Sequence, residues 1–285
     1  MASVAISLTN HPCSSVFICG SQAVWPLRQM TPAIPSASWI AVWRRNYLVW
    51  RKLAAESVLG DVIEPLFYIA GFGVGFGVML PEVDGVRYVA YLAGGMVCYS
   101  TMMSASFEVL YSGFTRMHVQ RTWEGILNAP VALEDVVFAE WVWGATKSVL
   151  PGMAVLAVAA VLGLVHSWTA ALILPVAFLT GLAFSALGLV VTALAKSYDF
   201  FQYWFTLALM PMMLLSGVFY PVTNMPAWLQ SFARVLPLTH GVALARPLLL
   251  GRWPTGTLAH VAALALYSLA AYAISMRLFR RRLLR

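Results

Sequence analysis

The residues of this chain suited to chemistry are few, and their spacing decides what they can do. The run Gly71-Phe-Gly73-Val-Gly75-Phe76-Gly77 has the glycine density of a loop that cradles a nucleotide phosphate. A dinucleotide fingerprint requires G-x-G-x-x-G at a strand-to-helix turn, and a P-loop requires G-x-x-x-x-G-K-[ST]. Phe76 stands where the third glycine of the first pattern belongs, so neither spacing fits. The stretch Gly144-Ala-Thr-Lys147-Ser148 imitates the end of a P-loop, but no glycine precedes Lys147. Cys13, Cys19 and Cys98 have neither C-x-x-C spacing nor histidine partners. His118, His166 and His240 are scattered, without metal-ligand spacing and without a visible triad of Ser or Asp. The expectation is no metal, no directly bound cofactor and no catalytic residue. Four ionisable residues, Glu64, Glu108, Glu140 and Lys147, fall within or beside apolar segments. Charge is costly there and tends to serve function. Glu140 and Lys147 share one helix face, placed to pair with neighbouring helices or to line a polar cavity, while Glu64 and Glu108 lie near segment ends within reach of an interface.

Composition fixes the setting of these residues. The chain is 61% hydrophobic and 10% charged, with a mean hydropathy of +0.79. Soluble domains carry about 25% charged residues, so this is an integral membrane protein. Residues 1–35 stand apart: no Lys or Arg precedes Arg28, which makes a poor signal peptide, and Met30 is an alternative start. They are read as a disordered or mis-annotated extension, leaving residues 36–285 as one transmembrane domain.

From Ser38 to Ala55, Trp39, Trp43, Tyr47, Trp50 and Ala54 fall on one helical arc and Arg44, Arg45, Arg51 and Lys52 on the other. That pattern predicts an amphipathic helix in the membrane interface, in contact with lipid. Six candidate spans follow, near Val62–Leu80, Val89–Leu110, Ala139–Val165, Thr169–Leu194, Phe200–Val218 and Thr257–Leu278. In the first, Gly71/Gly75 and Gly73/Gly77 form two interleaved small-xxx-small pairs, which let another helix approach closely in lipid. The glycine run is therefore read as a packing face. With both termini on one side, 13 Lys and Arg lie in that side's segments against 4 on the other, with Lys147 left in a span. The positive-inside rule places the termini in the cytoplasm. It also accounts for the net charge of +7 without a nucleic-acid surface.

Two segments are more than connectors. Between Phe114 and Val137, on the cytoplasmic side, Trp123, Ile126, Leu127 and Val131 suggest a short amphipathic helix closed by Asn128-Ala-Pro130. On the outer side, residues 216–251 are apolar yet broken by Pro221, Pro226, Pro237 and Pro247. Asn224 is placed to cap a helix starting near Pro226, with Trp228, Leu229, Phe232, Val235 and Leu236 on one face. Non-helical backbone at membrane depth must be shielded by protein or face water, so re-entrant short helices over a translocation path are expected. Tyr198, Phe200, Phe201, Tyr203, Trp204 and Phe205 open the fifth span. Tyr203 and Trp204 are candidate cavity-lining residues for stacking on sugar rings, and an interfacial aromatic belt is the plainer reading.

Residues Arg121–Pro130, "RTWEGILNAP", and Leu214–Arg246, "LLSGVFYPVTNMPAWLQSFARVLPLTHGVALAR", closely resemble the ABC-2 family of ATP-binding-cassette exporter membrane subunits. Within it the chain looks like the nodulation-type lipo-oligosaccharide exporter permeases, over roughly residues 36 to 285. The resemblance implies an all-α fold of six transmembrane helices with a coupling helix after the second span and outer re-entrant helices before the sixth. It implies a permease in the bacterial inner membrane that acts as a homodimer with two ATPase subunits, so that ATP is used by a partner. It places the coupling helix at Arg121–Pro130, with Glu124 as its acidic position and Trp123 and Leu127 as its apolar contacts. In the outer motif it singles out Pro221, Pro226, Trp228, Pro237 and His240, the last as a fold element.

The leading function is the membrane subunit of an exporter for amphiphilic glycoconjugates, lipo-oligosaccharide or polysaccharide, powered by a separate ATPase. An ion-coupled secondary transporter is the alternative, and would want midplane acids and repeated half-folds that the chain does not display. An intramembrane sugar transferase would need an acid or metal beside a nucleophile or base, and no such constellation is visible.

Overall fold

A computed structural model describes residues 35–283, Pro81 and His166 excepted. The N-terminal extension with Cys13, Cys19, Arg28 and Met30, and also His166 and Arg285, thus lie outside the described residues. The described chain is helical apart from one two-residue hairpin, a feature absent from the all-α expectation. Its strands are β1 (Glu82–Val83) and β2 (Val86–Arg87), antiparallel. Asp84 and Gly85 form the turn with φ of 52° and 72°, the left-handed pair that an Asp-Gly hairpin turn uses.

Helix α1 (Trp39–Lys52) is separated from α2 (Ala54–Met79) by Leu53 alone. Helix α3 (Tyr88–Phe107) continues through two π turns, Glu108–Gly113 and Thr115–Val119. The short α4 (Thr122–Leu127) follows, then the long α5 (Leu133–Val161). A 3-10 turn at Trp168–Leu172 leads into α6 (Ile173–Leu194). Next come α7 (Asp199–Trp204), a π turn at Phe205–Leu209 and α8 (Met210–Leu215). The chain closes with α9 (Ala227–Val235), α10 (Pro237–Leu249) and α11 (Thr257–Leu283).

Among the described residues, four helical segments are long and apolar enough to cross a membrane: α2, α5, α6 with its preceding turn, and α11. Helix α3 falls short because it is rich in hydroxyl and small residues, yet it is buried almost throughout by α2, α5, α6 and α10. A helix enclosed by other helices meets protein instead of lipid, so its outward hydropathy is not under the same demand. Ser100 and Thr101 return their hydroxyl protons to Val97 O at 3.0 and 2.8 Å, so these buried donors are satisfied within the helix. The fifth expected span is a helical run over 199–215, widened by the π turn just before Pro211, which has no N–H to give. The first span begins earlier than hydropathy suggested, at Ala54, and carries Pro65 inside it.

Close backbone approach holds the centre together. A Cβ on Gly94 would lie 2.9 Å from Arg246 Cα, and one on Gly95 2.9 Å from Val218 Cα. Two cores result. One joins α3, α5, α6, α8 and α10. The other, at the end that carries α4, joins α4 and the π turns to the start of α5, the end of α6 and the end of α11.

Candidate functional site

The α4 end is organised around charges that the sequence places far apart. The chain enters α4 through Arg121, which adopts the left-handed conformation at φ 49° and ψ 29°. That turn points Trp123 inward, where it is 1% exposed and meets the ring of Phe279 at 5.1 Å. Glu124 points outward at 62% exposure and pairs with Arg121 at 3.9 Å. The exposed face of this segment is thus Arg121, Glu124, Gly125 and Asn128 to Pro130, with Leu127 half-buried. Trp123, expected with Leu127 as an apolar contact of this helix, is not on that face. The reason is tertiary, because α11 and α5 offer the indole a pocket that a periodicity argument does not contain.

Behind Trp123 lies Glu140 of α5, 1% exposed. Its carboxylate accepts from Arg116 Nε at 3.0 Å and Nη2 at 2.5 Å, from Asn46 Nδ2 at 3.2 Å and from Trp123 Nε1 at 3.4 Å. Arg116 also donates through Nη1 to Glu108 at 3.0 Å. Glu108 accepts further from Trp143 Nε1 at 2.8 Å and Lys147 Nζ at 3.1 Å. Lys147 in turn faces Asp61 of α2 at 3.7 Å. The chain of contacts therefore runs from α4 through α5 and the π turns to α2, three cations against carboxylates if Arg45 beside Asn46 is included. Burial works against the Arg116 cation, but the Glu140 and Glu108 carboxylates outweigh it and hold its pKa above the usual arginine range. Burial, reinforced by the Arg116 cation, pushes Arg45 below that range, with Glu140 opposing.

Glu140 and Lys147 thus do not pair with each other. They flank Arg116 and Glu108, with Lys147 on the wall of a polar cavity and Glu140 behind it. Asp61, Asn46, Arg116 and Trp143 belong to the same cluster and escaped sequence reasoning. Arg116 lies just before the short amphipathic helix, where sequence reasoning gave it no role beyond topology, and only the π turns bring it beneath α5. Helix α1 differs from expectation in the same way. Its aromatic arc covers α5, with Trp43 and Trp50 at 6.0 and 6.1 Å from Trp143 and Trp39 at 5.2 Å from Phe138. Arg44, Arg51 and Lys52 remain exposed on its other side.

The other candidates are placed as follows. Gly73 and Gly77 face Val89 of α3, their nearest contacts for an added Cβ being 3.5 and 3.9 Å. Gly71 and Gly75 face open space and line a groove of about 780 Å³ along α2. Tyr203 is 64% exposed, and Trp204 packs against the apolar core. The cavity beside them is lined by Gln202, Phe205 and Thr206 instead. At the far end, Pro226 precedes α9 and Asn224 provides no side-chain cap, contrary to expectation. Gln230 ties the turn by donating to Met225 O at 2.8 Å and Thr223 O at 3.1 Å. Trp228 is 73% exposed, Pro221 is buried and Pro237 starts α10. His240 meets His260 of α11, Nδ1 to Nδ1 at 2.8 Å, a contact not foreseen from spacing. No group of three metal-ligating side chains occurs among the described residues.

Comparison with known proteins identifies the family. Residues 37–250 match the family described as ABC-2 type transporter. Nodulation protein J of Rhizobium leguminosarum bv. trifolii is 48% identical over 255 residues, 89% of this chain and 97% of that protein. Nodulation protein J of Bradyrhizobium diazoefficiens is 49% identical over 249 residues, covering 87% and 95%. The inner membrane transport permease YadH of Escherichia coli is 26% identical over 248 residues, covering 85% and 96%. The family match over most of the chain, these relatives and the long apolar helices agree with one another: the chain belongs to the ABC-2 type transporter family of membrane permeases.

Proposed function

We propose that this chain is the membrane subunit of an ATP-binding-cassette exporter that moves amphiphilic glycoconjugates out of the cytoplasm across the bacterial inner membrane. Hydrolysis belongs to a separate ATPase, and the chain itself holds no nucleotide. The six spans are α2, α3, α5, α6, the 199–215 run and α11, with both termini cytoplasmic and α9 and α10 re-entrant on the outer side. The observation that carries this reading is the tether between the exposed 121–130 segment and the spans, through Trp123, Glu140, Arg116 and Glu108. A helix docked in a partner's cleft can drive transport only if its displacement reaches the spans as rigid-body motion. A buried ionic cluster resists shear because breaking any contact strands a charge. The similarity to proteins named Nodulation protein J supports a lipo-oligosaccharide cargo. The open face of Gly71 and Gly75 supports a homodimer assembled along α2, giving two permeases with two ATPases.

The test is affinity purification of the tagged chain from its native membrane under gentle detergent. A stoichiometric ATP-binding-cassette ATPase that is lost from the Glu124→Lys variant, with membrane insertion unchanged, is the expected result. A chain that emerges without any ATPase would instead favour an ion-coupled carrier.

A further inference from the structure

A cavity of about 390 Å³, walled by charged and hydroxyl side chains among aromatic and aliphatic ones, opens at the α4 end between α1, the start of α2, the π turns after α3 and α5. Its volume lies within the roughly 300–1,000 Å³ range of small-ligand sites. Ser57, Ser112 and Gln120 bring hydroxyl and amide groups to its wall, and Trp50, Tyr111 and Trp143 bring aromatic surface. The indole Nε1 of Trp50 is buried without a hydrogen-bond partner. A buried donor left unsatisfied is costly, and a ligand supplying an acceptor there removes the cost. The lip of the cavity is apolar: Val49 and Leu53 belong to its lining and are 49% and 57% exposed. A ligand with a polar head and an apolar tail would therefore place the head inside while the tail stays in lipid.

Charge selects among polar heads. Arg116 is already matched by Glu108 and Glu140, and Lys147 by Glu108 and Asp61. The Glu108 carboxylate is itself part of the wall, so a phosphate or sulfate would meet an anion beside two cations already paired, and only Arg45, which donates to Asn46 Oδ1 at 3.0 Å, stands in the wall outside an ion pair. An uncharged sugar ring suits the site better. Its hydroxyls accept from Trp50 Nε1 and Arg45, donate to side-chain oxygens, and leave the ion pairs intact. We propose that this cavity binds the sugar headgroup of a membrane amphiphile before transport. The site rests on the reading of the chain as a glycoconjugate exporter subunit and adds where the cargo is first held. Its wall includes Arg116, whose partner Glu140 also holds Trp123 of α4, so an occupied cavity touches the groups that anchor the coupling helix.

The purified full-length chain in phosphatidylcholine nanodiscs tests this directly. Tryptophan emission is titrated with octyl maltoside and, in parallel, with octyl phosphate. Saturable binding of the maltoside is expected, at least tenfold tighter than that of the phosphate. Trp50→Phe, which keeps an aromatic ring and removes the donor, should weaken maltoside binding severalfold. Ser112→Phe should abolish it by filling the cavity, and Gln120→Ala, at an exposed position, gives the same direction without a risk to folding. A non-saturable maltoside response, or one unchanged from the parent in both Trp50→Phe and Gln120→Ala, overturns the proposal, as does phosphate binding as tight as or tighter than that of the maltoside. ATPase co-purification is read separately. An ATPase that co-purifies while the maltoside fails to bind refutes the sugar site alone, and saturable maltoside binding without any ATPase refutes the exporter reading alone.

Discussion

Trp123 and Glu140, seventeen positions apart, share one hydrogen bond that ties a surface helix to a span: the indole Nε1 lies 3.4 Å from Glu140 Oε1. The same oxygen accepts from Arg116 Nε at 3.0 Å. A helix of six residues is too short to hold its own shape in water, so its geometry depends on what it packs against. Trp123 supplies that anchor, leaving Glu124 and Arg121 exposed on the outside, paired with each other at 3.9 Å.

Removing the Glu140 carboxylate should therefore be expensive. Breaking a buried ion pair by deleting one partner costs about 3–5 kcal/mol, because the other charge stays buried. Glu140→Gln is expected to lower the Tm of the detergent-solubilised protein sharply. The double variant Glu140→Gln with Arg116→Met should lose less than the sum of the two single changes, by about 1–3 kcal/mol. Strictly additive losses would mean that the two groups act independently.

Arg121 holds a left-handed backbone at φ 49°, which costs an L-residue about 1–2 kcal/mol. Arg121→Gly is thus expected to match or exceed the parent in thermal stability, and Arg121→Ile to fall below it by at least about 1 kcal/mol. The surface pair with Glu124 at 3.9 Å contributes too little to reverse that order. Equal melting of the glycine and isoleucine variants would show that the turn adapts.

The glycines of α2 and α3 should separate assembly from folding. A Cβ on Gly94 would sit 2.9 Å from the backbone of Arg246, and Gly94→Ala is expected to destabilise the chain by about 1–3 kcal/mol. Gly75 has nothing within 4 Å, so Gly75→Leu should leave the melting of the single chain unchanged. In the homodimer proposed along α2 it should shift the size-exclusion profile toward the smaller species. An unchanged profile would place the dimer contact elsewhere.

Arg246 is a half-buried cation that forms no ion pair among the described residues. Its guanidinium lies 3.6 Å over the Tyr91 ring, and its Nη2 donates to Gly217 O at 2.6 Å while Nε donates to Tyr91 O at 3.1 Å. It thereby pins α10 to the turn after α8. Lysine offers one point charge in place of a planar fork, so Arg246→Lys is not conservative. A loss of about 2 kcal/mol or more in unfolding free energy is expected, the cost of leaving buried carbonyls unpaired. A melting curve that matches the parent would show that lysine rebuilds the pin.

The membrane class, the helical architecture, a short helix within 121–130 and the prolines that break the 216–251 segment were legible in the sequence. All of these follow from local properties: hydropathy over a helical length, periodicity at 3.6 residues, and the missing N–H of proline. Glu140 and Lys147 were legible as costly charges for the same reason. Their partners were not, because Asp61, Glu108 and Arg116 reach them only when α2 and the π turns fold against α5, and a contact between distant positions leaves no periodic trace. Tertiary packing likewise decided that Trp123 turns inward, that the aromatic arc of α1 faces α5, and that Gly71 and Gly75 remain open while Gly94 and Gly95 carry the tight approaches. A helix face is set by the chain, but what covers that face is set by its neighbours.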